Sequence, residues 1–142
     1  MKLDAQLSMI DSDHCGSTAC TAVVRREINH NVLYVANAGD TRAVLSKNGQ
    51  AERLSKDHKA TDPSEIERVK AAGGSIMENR VAGGLAITRA LGDQAYKSFG
   101  VTPAPYIVRH VLRPFDKFLI IASDGVWDTV TDEQAVSLCN ES

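Results

Sequence analysis

Two apolar runs in this chain stop at an aspartate. "VLYVANAGD" carries Val32 to Ala38 into Gly39-Asp40, and "FLIIASDG" carries Phe118 to Ala122 into Ser123-Asp124-Gly125. A run of this length, rich in β-branched and large aliphatic residues, is what a strand buried on both faces requires. Its last residue then emerges at the end of a packed layer. Two carboxylates in that position constrain the fold: each needs a turn, a cation or solvent within reach. For a lone aspartate before glycine the commoner use is a turn, with the side chain accepting backbone N–H bonds two residues on. Two such strand ends, with Asp128 four residues beyond Asp124, shift the balance toward a hard divalent cation, which takes oxygen ligands and keeps several waters.

The intervening sequence reads as consecutive strands. Thr18 to Val24 is small and β-branched, Asn29-His30-Asn31 makes a turn, and Val32 to Gly39 is a central strand. "TRAVLSKNGQAERL" reads as two strands about Asn48-Gly49, a dipeptide suited to a tight hairpin. A meander of this kind pairs antiparallel. At the N-terminus Leu3, Leu7 and Ile10 fall at helical spacing, before a polar turn over Asp11-Ser12-Asp13-His14. The clearest helix is "DPSEIERVKAAGG". Asp62 is its N-cap, Pro63 its first residue, Glu65 the partner of a capping box, and Ile66, Val69 and Ala71-Ala72 its buried stripe. Glycines and prolines between Ser75 and Arg113 predict loops and short strands. Thr131 and Gln134 make a second capping box, opening a helix over Asp132 to Cys139. Trp127, the one tryptophan, is expected to anchor the loop between Asp124 and Asp128 in the core.

Other chemistries find no support. With 142 residues, 43% hydrophobic and 24% charged, the chain has the composition of one globular domain. A net charge of −2 excludes the electrostatic footprint of a nucleic-acid or anionic-membrane binder. No apolar run approaches a membrane span, and Cys15, Cys20 and Cys139 suit reduced thiols in an intracellular, cytoplasmic or nuclear setting. Position 3 of an EF-hand loop started at Asp124 would be Val126, and the four histidines lack ligand spacing. Neither a P-loop nor a G-x-S-x-G elbow is present.

Five blocks occur in order: "CGSTA", "VANAGDTRAVL", "LSKDHKATDPSEIERVKAAGG", "RVAGGLAITRALGD" and "FLIIASDGVWDTVTDEQ". In this order they resemble the metal-dependent protein serine/threonine phosphatases of the phosphatase 2C type, from Gly16 to Gln134. The resemblance implies an α+β fold, an αββα sandwich of two antiparallel sheets flanked by helices. It implies a magnesium or manganese pair at one end, with a third, looser ion, and phosphoserine or phosphothreonine proteins as substrates of a monomeric hydrolase. Carried over by position, Asp124 resembles a ligand of the core pair, and Asp40 and Asp128 its partners around the third ion. Gly125 is expected to let the backbone turn closely around the ion. His58 to Lys97 resembles the flap beside the active site, with His58, Arg80 and Lys97 as candidate substrate-contacting residues. Asp93 matches a family position and is given a turn or cap role.

The resemblance also implies a "DGHGG"-type block upstream and an Asp-Asn pair downstream, neither of which occurs between residues 1 and 142. The expectation is that residues 1–142 form a central part of the catalytic domain, weakly active or inactive alone. A non-catalytic module that binds phosphoproteins or a regulatory partner is the alternative.

Overall fold

A computed structural model describes residues 2–10 and 13–141. Its elements in chain order are α1 (Lys2–Leu7), β1 (Gly16–Ser17), β2 (Ala19–Glu27), β3 (His30–Ala38), β4 (Arg42–Lys47), β5 (Gln50–Arg53), α2 (Pro63–Ala71), β6 (Ile76–Met77), β7 (Arg80–Val81), β8 (Leu91–Gly92), a 3₁₀ helix (Gln94–Phe99), β9 (Tyr106–Val111), β10 (Asp116–Ala122), α3 (Asp124–Trp127) and α4 (Asp132–Asn140). The chain divides into two compact units: residues 1–19, 38–40 and 57–105 form the first, and residues 20–37, 41–56 and 106–142 the second.

The second unit is layered. Two three-stranded sheets, ordered β2-β3-β9 and β10-β4-β5, enclose a core of Leu33, Val35, Ala43, Leu45 and Leu54, to which Cys20, Val108 and Leu119 add partly buried surface. Alternate residues of one strand point to opposite faces, so Val44 turns the other way. It meets Trp127, Ala135 and Val136, and α3 and α4 thereby cover the far face of the β10-β4-β5 sheet. Sheet, sheet and helix are stacked in an α+β arrangement in which β10–β4, β4–β5 and β3–β9 pair antiparallel, as expected. Asn48 and Gly49 both have positive φ, 53° and 78°, and close the β4–β5 hairpin where the dipeptide signals it.

One expectation about this unit fails. β4 is the central strand, with Ala43, Val44 and Leu45 all but inaccessible, whereas β10 lies at the edge of its sheet and leaves Ile121 41% exposed. An apolar run reports that a strand is partly buried, not how many neighbours it has. Nor does a loop follow the strand: Ser123 takes the N-cap position of α3, a single turn whose Trp127 donates its indole N–H to the Ala122 carbonyl at 2.8 Å. Trp127 is 7% exposed, so the expected anchoring in the core holds.

The first unit is built round α2. Asp62 caps it by accepting from Ser64 N and Glu65 N, and Pro63 opens it. Its core is Ala60, Val69, Val81, Ala90 and Val101. The expected stripe is corrected here: Ala71 and Ala72 are exposed, and the second buried position is the charged Glu65, turned away from the capping box. α1 repeats the lesson. Leu3 and Ile10 are 53% and 64% exposed, while Asp4 is buried, accepting from Gly92 N at 2.9 Å and pairing with Lys97 at 3.2 Å. The turn expected over Asp11 to His14 lies partly outside the described residues. No helix is long and apolar enough to cross a membrane among the described residues.

Candidate metal centre

The two aspartate-bearing strand ends are built differently. Gly39 has φ +92°, and a Cβ there would lie 2.3 Å from Thr18 Cγ2, so the turn before Asp40 admits only glycine. His58 fixes that turn, its backbone N–H donating to the Gly39 carbonyl at 3.1 Å and its ring Nδ1 reaching the same oxygen at 3.0 Å. A carbonyl only accepts, so the ring proton sits on Nδ1. On the other side of the turn the buried Asn37 donates to Lys56 O at 2.7 Å and Thr41 O at 3.3 Å, and accepts from Lys56 N at 3.2 Å. Asp40 follows with its carboxylate 13% exposed and Lys59 Nζ at 3.8 Å.

Asp124 and Asp128 stand one turn apart on a rigid support. The Asp128 backbone N–H donates to the Asp124 carbonyl at 2.8 Å, and Trp127 between them is pinned to the strand. Both aspartates are exposed. The Asp124 carboxylate has no hydrogen-bonding or ionic partner among the described residues. Within β4–β10 the register pairs Arg42 with Ala122, so the start of one strand lies beside the end of the other.

Gly125 is a difference from expectation. It sits inside α3 without positive φ, and a Cβ would meet only Ser123 Oγ at 3.5 Å, an ordinary contact. The backbone does not need glycine there for its turn. His58 is wholly buried and holds Gly39, so it presents nothing to a substrate. Lys97 is likewise spent, donating to Ala90 O at 2.7 Å and pairing with Asp4. Of the three flap candidates Arg80 alone is exposed. Asp93 occupies the N-cap position of the 3₁₀ helix at φ 50°, but its side chain makes no capping bond; it lies against Gly16, and burial raises its carboxyl above the usual range.

The sequence reading missed what stiffens the Asp124–Asp128 turn. Arg42 lies over the Trp127 ring, 5.2 Å from its centroid, and donates to Asp132 Oδ1 at 2.7 Å; Arg53 reaches Asp132 Oδ2 at 2.7 Å. Burial pushes the Asp132 carboxyl up, but the hydrogen bonds from Arg53 and Arg42 outweigh it and the net shift is downward. These residues, with Asp128 and Glu133, line a cleft of about 320 Å³. The pairing of residues 42 and 132 left no local signal. Asp132→Ala is expected to lower stability by about 2 kcal/mol, most of it through Arg42, since exposure of Arg53 screens its share. Urea unfolding of the variant measures this.

The donor chemistry suits a hard cation: exposed, turn-held carboxylates of the type magnesium and manganese accept. The described residues contain no group of three or more His, Cys, Asp or Glu side chains placed to hold a metal ion.

Compared with known proteins, the chain matches the family described as "Protein phosphatase 2C" over residues 1–142. It is 48% identical over 128 residues to protein phosphatase 2C homolog 1 of Schizosaccharomyces pombe, covering 88% of this chain and 37% of that protein. It is 39% identical to protein phosphatase 2C homolog 1 of Saccharomyces cerevisiae, covering 99% and 54%. Among solved structures, a serine-threonine phosphatase 2C from Toxoplasma gondii aligns with a TM-score of 0.83 at 26% identity, covering 99% of this chain and 51% of that one. A C. elegans sex determining protein aligns at 0.84 with 26% identity, covering 97% and 35%. The chain thus spans between about a third and about half of the length of these relatives.

Proposed function

The chain belongs to the protein phosphatase 2C family, and from that premise we propose that it forms part of a catalytic domain hydrolysing phosphoserine and phosphothreonine in proteins with magnesium or manganese. The observation that carries the reading is the pair of aspartate-terminated strands in a five-block motif set.

Asp124, Asp40 and Asp128 are assigned to cation binding. When bound, such cations supply the Lewis acidity that activates water and offsets negative charge on the phosphoryl group. The residues of this chain hold the carboxylates in place. Trp127 and the Arg42–Asp132–Arg53 pairing fix the α3 turn that carries Asp124 and Asp128, and Asn37 and His58 fix the turn that carries Asp40. Preorganisation of this kind spares the site the cost of ordering flexible carboxylates against their mutual repulsion. Gly125 keeps the surface beside Asp124 free of a side chain.

The test uses the full-length protein that carries these residues, with a phosphothreonine peptide and manganese. Phosphate release that rises with manganese and stops with chelator supports the reading. Peptide binding without release in any metal would replace it with the non-catalytic module.

A further inference from the structure

The β2–β3 hairpin of the second unit closes on an unexpected residue. Its turn is Ile28-Asn29, and Ile28 has φ 41° and is 91% exposed. A β-branched side chain in the left-handed region is crowded against its own backbone, and glycine is the ordinary choice there. Holding that side chain in water gains nothing either. So exposed a side chain does not support the fold, and strain kept at a projecting tip points to a partner outside it.

The loop between β9 and β10 lies at the same end. Leu112 N donates to Asn31 O at 2.9 Å, which ties this loop to the start of β3, and Phe115 is 44% exposed in it. Beside the two tips stand Arg25, Arg26, Arg113 and Lys117, all exposed and none in an ion pair among the described residues. The carboxylates at this end are already engaged: Glu27 with Arg109 at 2.5 Å, Glu52 with Lys47 at 2.6 Å, and Asp116 with His110 at 2.9 Å. The net charge of −2 argued against an anionic membrane, but it is a sum over the whole chain and conceals this local excess of cations.

We infer that this end of the second unit docks on an anionic lipid surface, with Ile28 and Phe115 entering the interfacial layer and Arg25, Arg26, Arg113 and Lys117 facing the headgroups. Charge and shape select this occupant: two projecting tips, apolar at the point and flanked by cations, fit a soft negative plane. A nucleic acid would use the cations, but its phosphates offer nothing to Ile28. The β4–β10 register sets Lys47 opposite Asp116 and Arg42 opposite Ala122, so the length of β10, about 20 Å, separates this end from the strand end at Asp124. The inference uses the second unit alone and is independent of the phosphatase reading.

The experiment is co-sedimentation of the full-length protein with phosphatidylcholine vesicles, with and without phosphatidylserine. The wild type is expected to bind the phosphatidylserine vesicles and to leave them at high salt. Arg25→Ala and Arg26→Ala together should weaken binding about thirtyfold, and Ile28→Gly about tenfold. Ile28→Gly is the decisive variant, because glycine relieves the turn: urea unfolding should find it no less stable than the wild type while its lipid binding falls. Equal binding to both vesicle types, or binding unchanged in either variant, overturns the inference. A dimer that forms without lipid and dissociates in Ile28→Gly assigns the tip to a second copy and overturns it as well.

Discussion

Glu65→Ala should cost about 3–5 kcal/mol of folding stability at neutral pH, the range for removing one partner of a buried ion pair. The carboxylate is 3% exposed and fully engaged. Arg89 reaches Oε1 at 2.6 Å and Oε2 at 3.1 Å, Arg68 reaches Oε2 at 2.9 and 3.1 Å, and the Thr88 hydroxyl donates to Oε2 at 2.7 Å. The same arginines then bond the carbonyls of Thr88, Gly100 and Ala104, so one carboxylate joins α2 to the segment that runs from Thr88 to Ala104. Truncation leaves two guanidinium groups facing each other without their carboxylate, and the Thr88 hydroxyl with only the longer contact to the His58 carbonyl at 3.2 Å.

The pH dependence follows from the same contacts. Burial pushes the Glu65 carboxyl up, but hydrogen bonds from Arg89, Arg68 and Thr88 outweigh it and hold the group far below the carboxylate range. A group whose pKa is depressed by folding contributes its full stabilisation above the unfolded value, about 4.3, and loses it as the pH falls below that value toward the folded one. The gap between wild type and Glu65→Ala in urea unfolding should therefore be largest at pH 7 and narrower at pH 3. A loss under 1 kcal/mol at pH 7, or a gap that widens in acid, would show that the two arginines are satisfied without Glu65.

What the sequence allowed and what it concealed divide along the distance over which each feature is decided. Asn48-Gly49, the Asp62 cap and the Thr131–Gln134 capping box are settled within four residues, and the structure forms all three. The burial of Glu65 is settled by Arg89, 24 residues on, and that of Asp4 by Gly92 and Lys97, so helical spacing alone pointed to the wrong faces. β10 was read as central because Phe118 to Ala122 is apolar throughout, yet strand order is a property of the whole sheet. The site divides in the same way. The aspartates at the strand ends are visible as residues, while the Arg42–Asp132 contact that stiffens the turn joins positions 90 apart. His58 illustrates the converse: a motif position suggests chemistry, and zero exposure assigns it to holding a backbone turn.

Asp124→Asn is expected to abolish manganese-dependent phosphate release from a phosphothreonine peptide, by at least about a hundredfold in kcat/KM, when introduced into the full-length protein. Asp124 is exposed and its carboxylate meets no cation or donor among the described residues, so removing its charge should leave folding within about 0.5 kcal/mol of the wild type. Its backbone duties, including the carbonyl that accepts from Asp128 N, survive in asparagine. An exposed carboxylate at the end of a β-strand with no protein partner is free to ligate a cation, and cation stabilisation of a phosphoryl transition state is worth several kcal/mol, or two or more powers of ten in rate. Calorimetric manganese uptake should weaken in parallel with turnover. Asp132→Ala, by contrast, should lower stability while retaining more turnover than Asp124→Asn, because its contacts support the turn rather than the ion. Full activity in a folded Asp124→Asn protein would remove Asp124 from the metal site and leave the strand-end aspartates as turn residues.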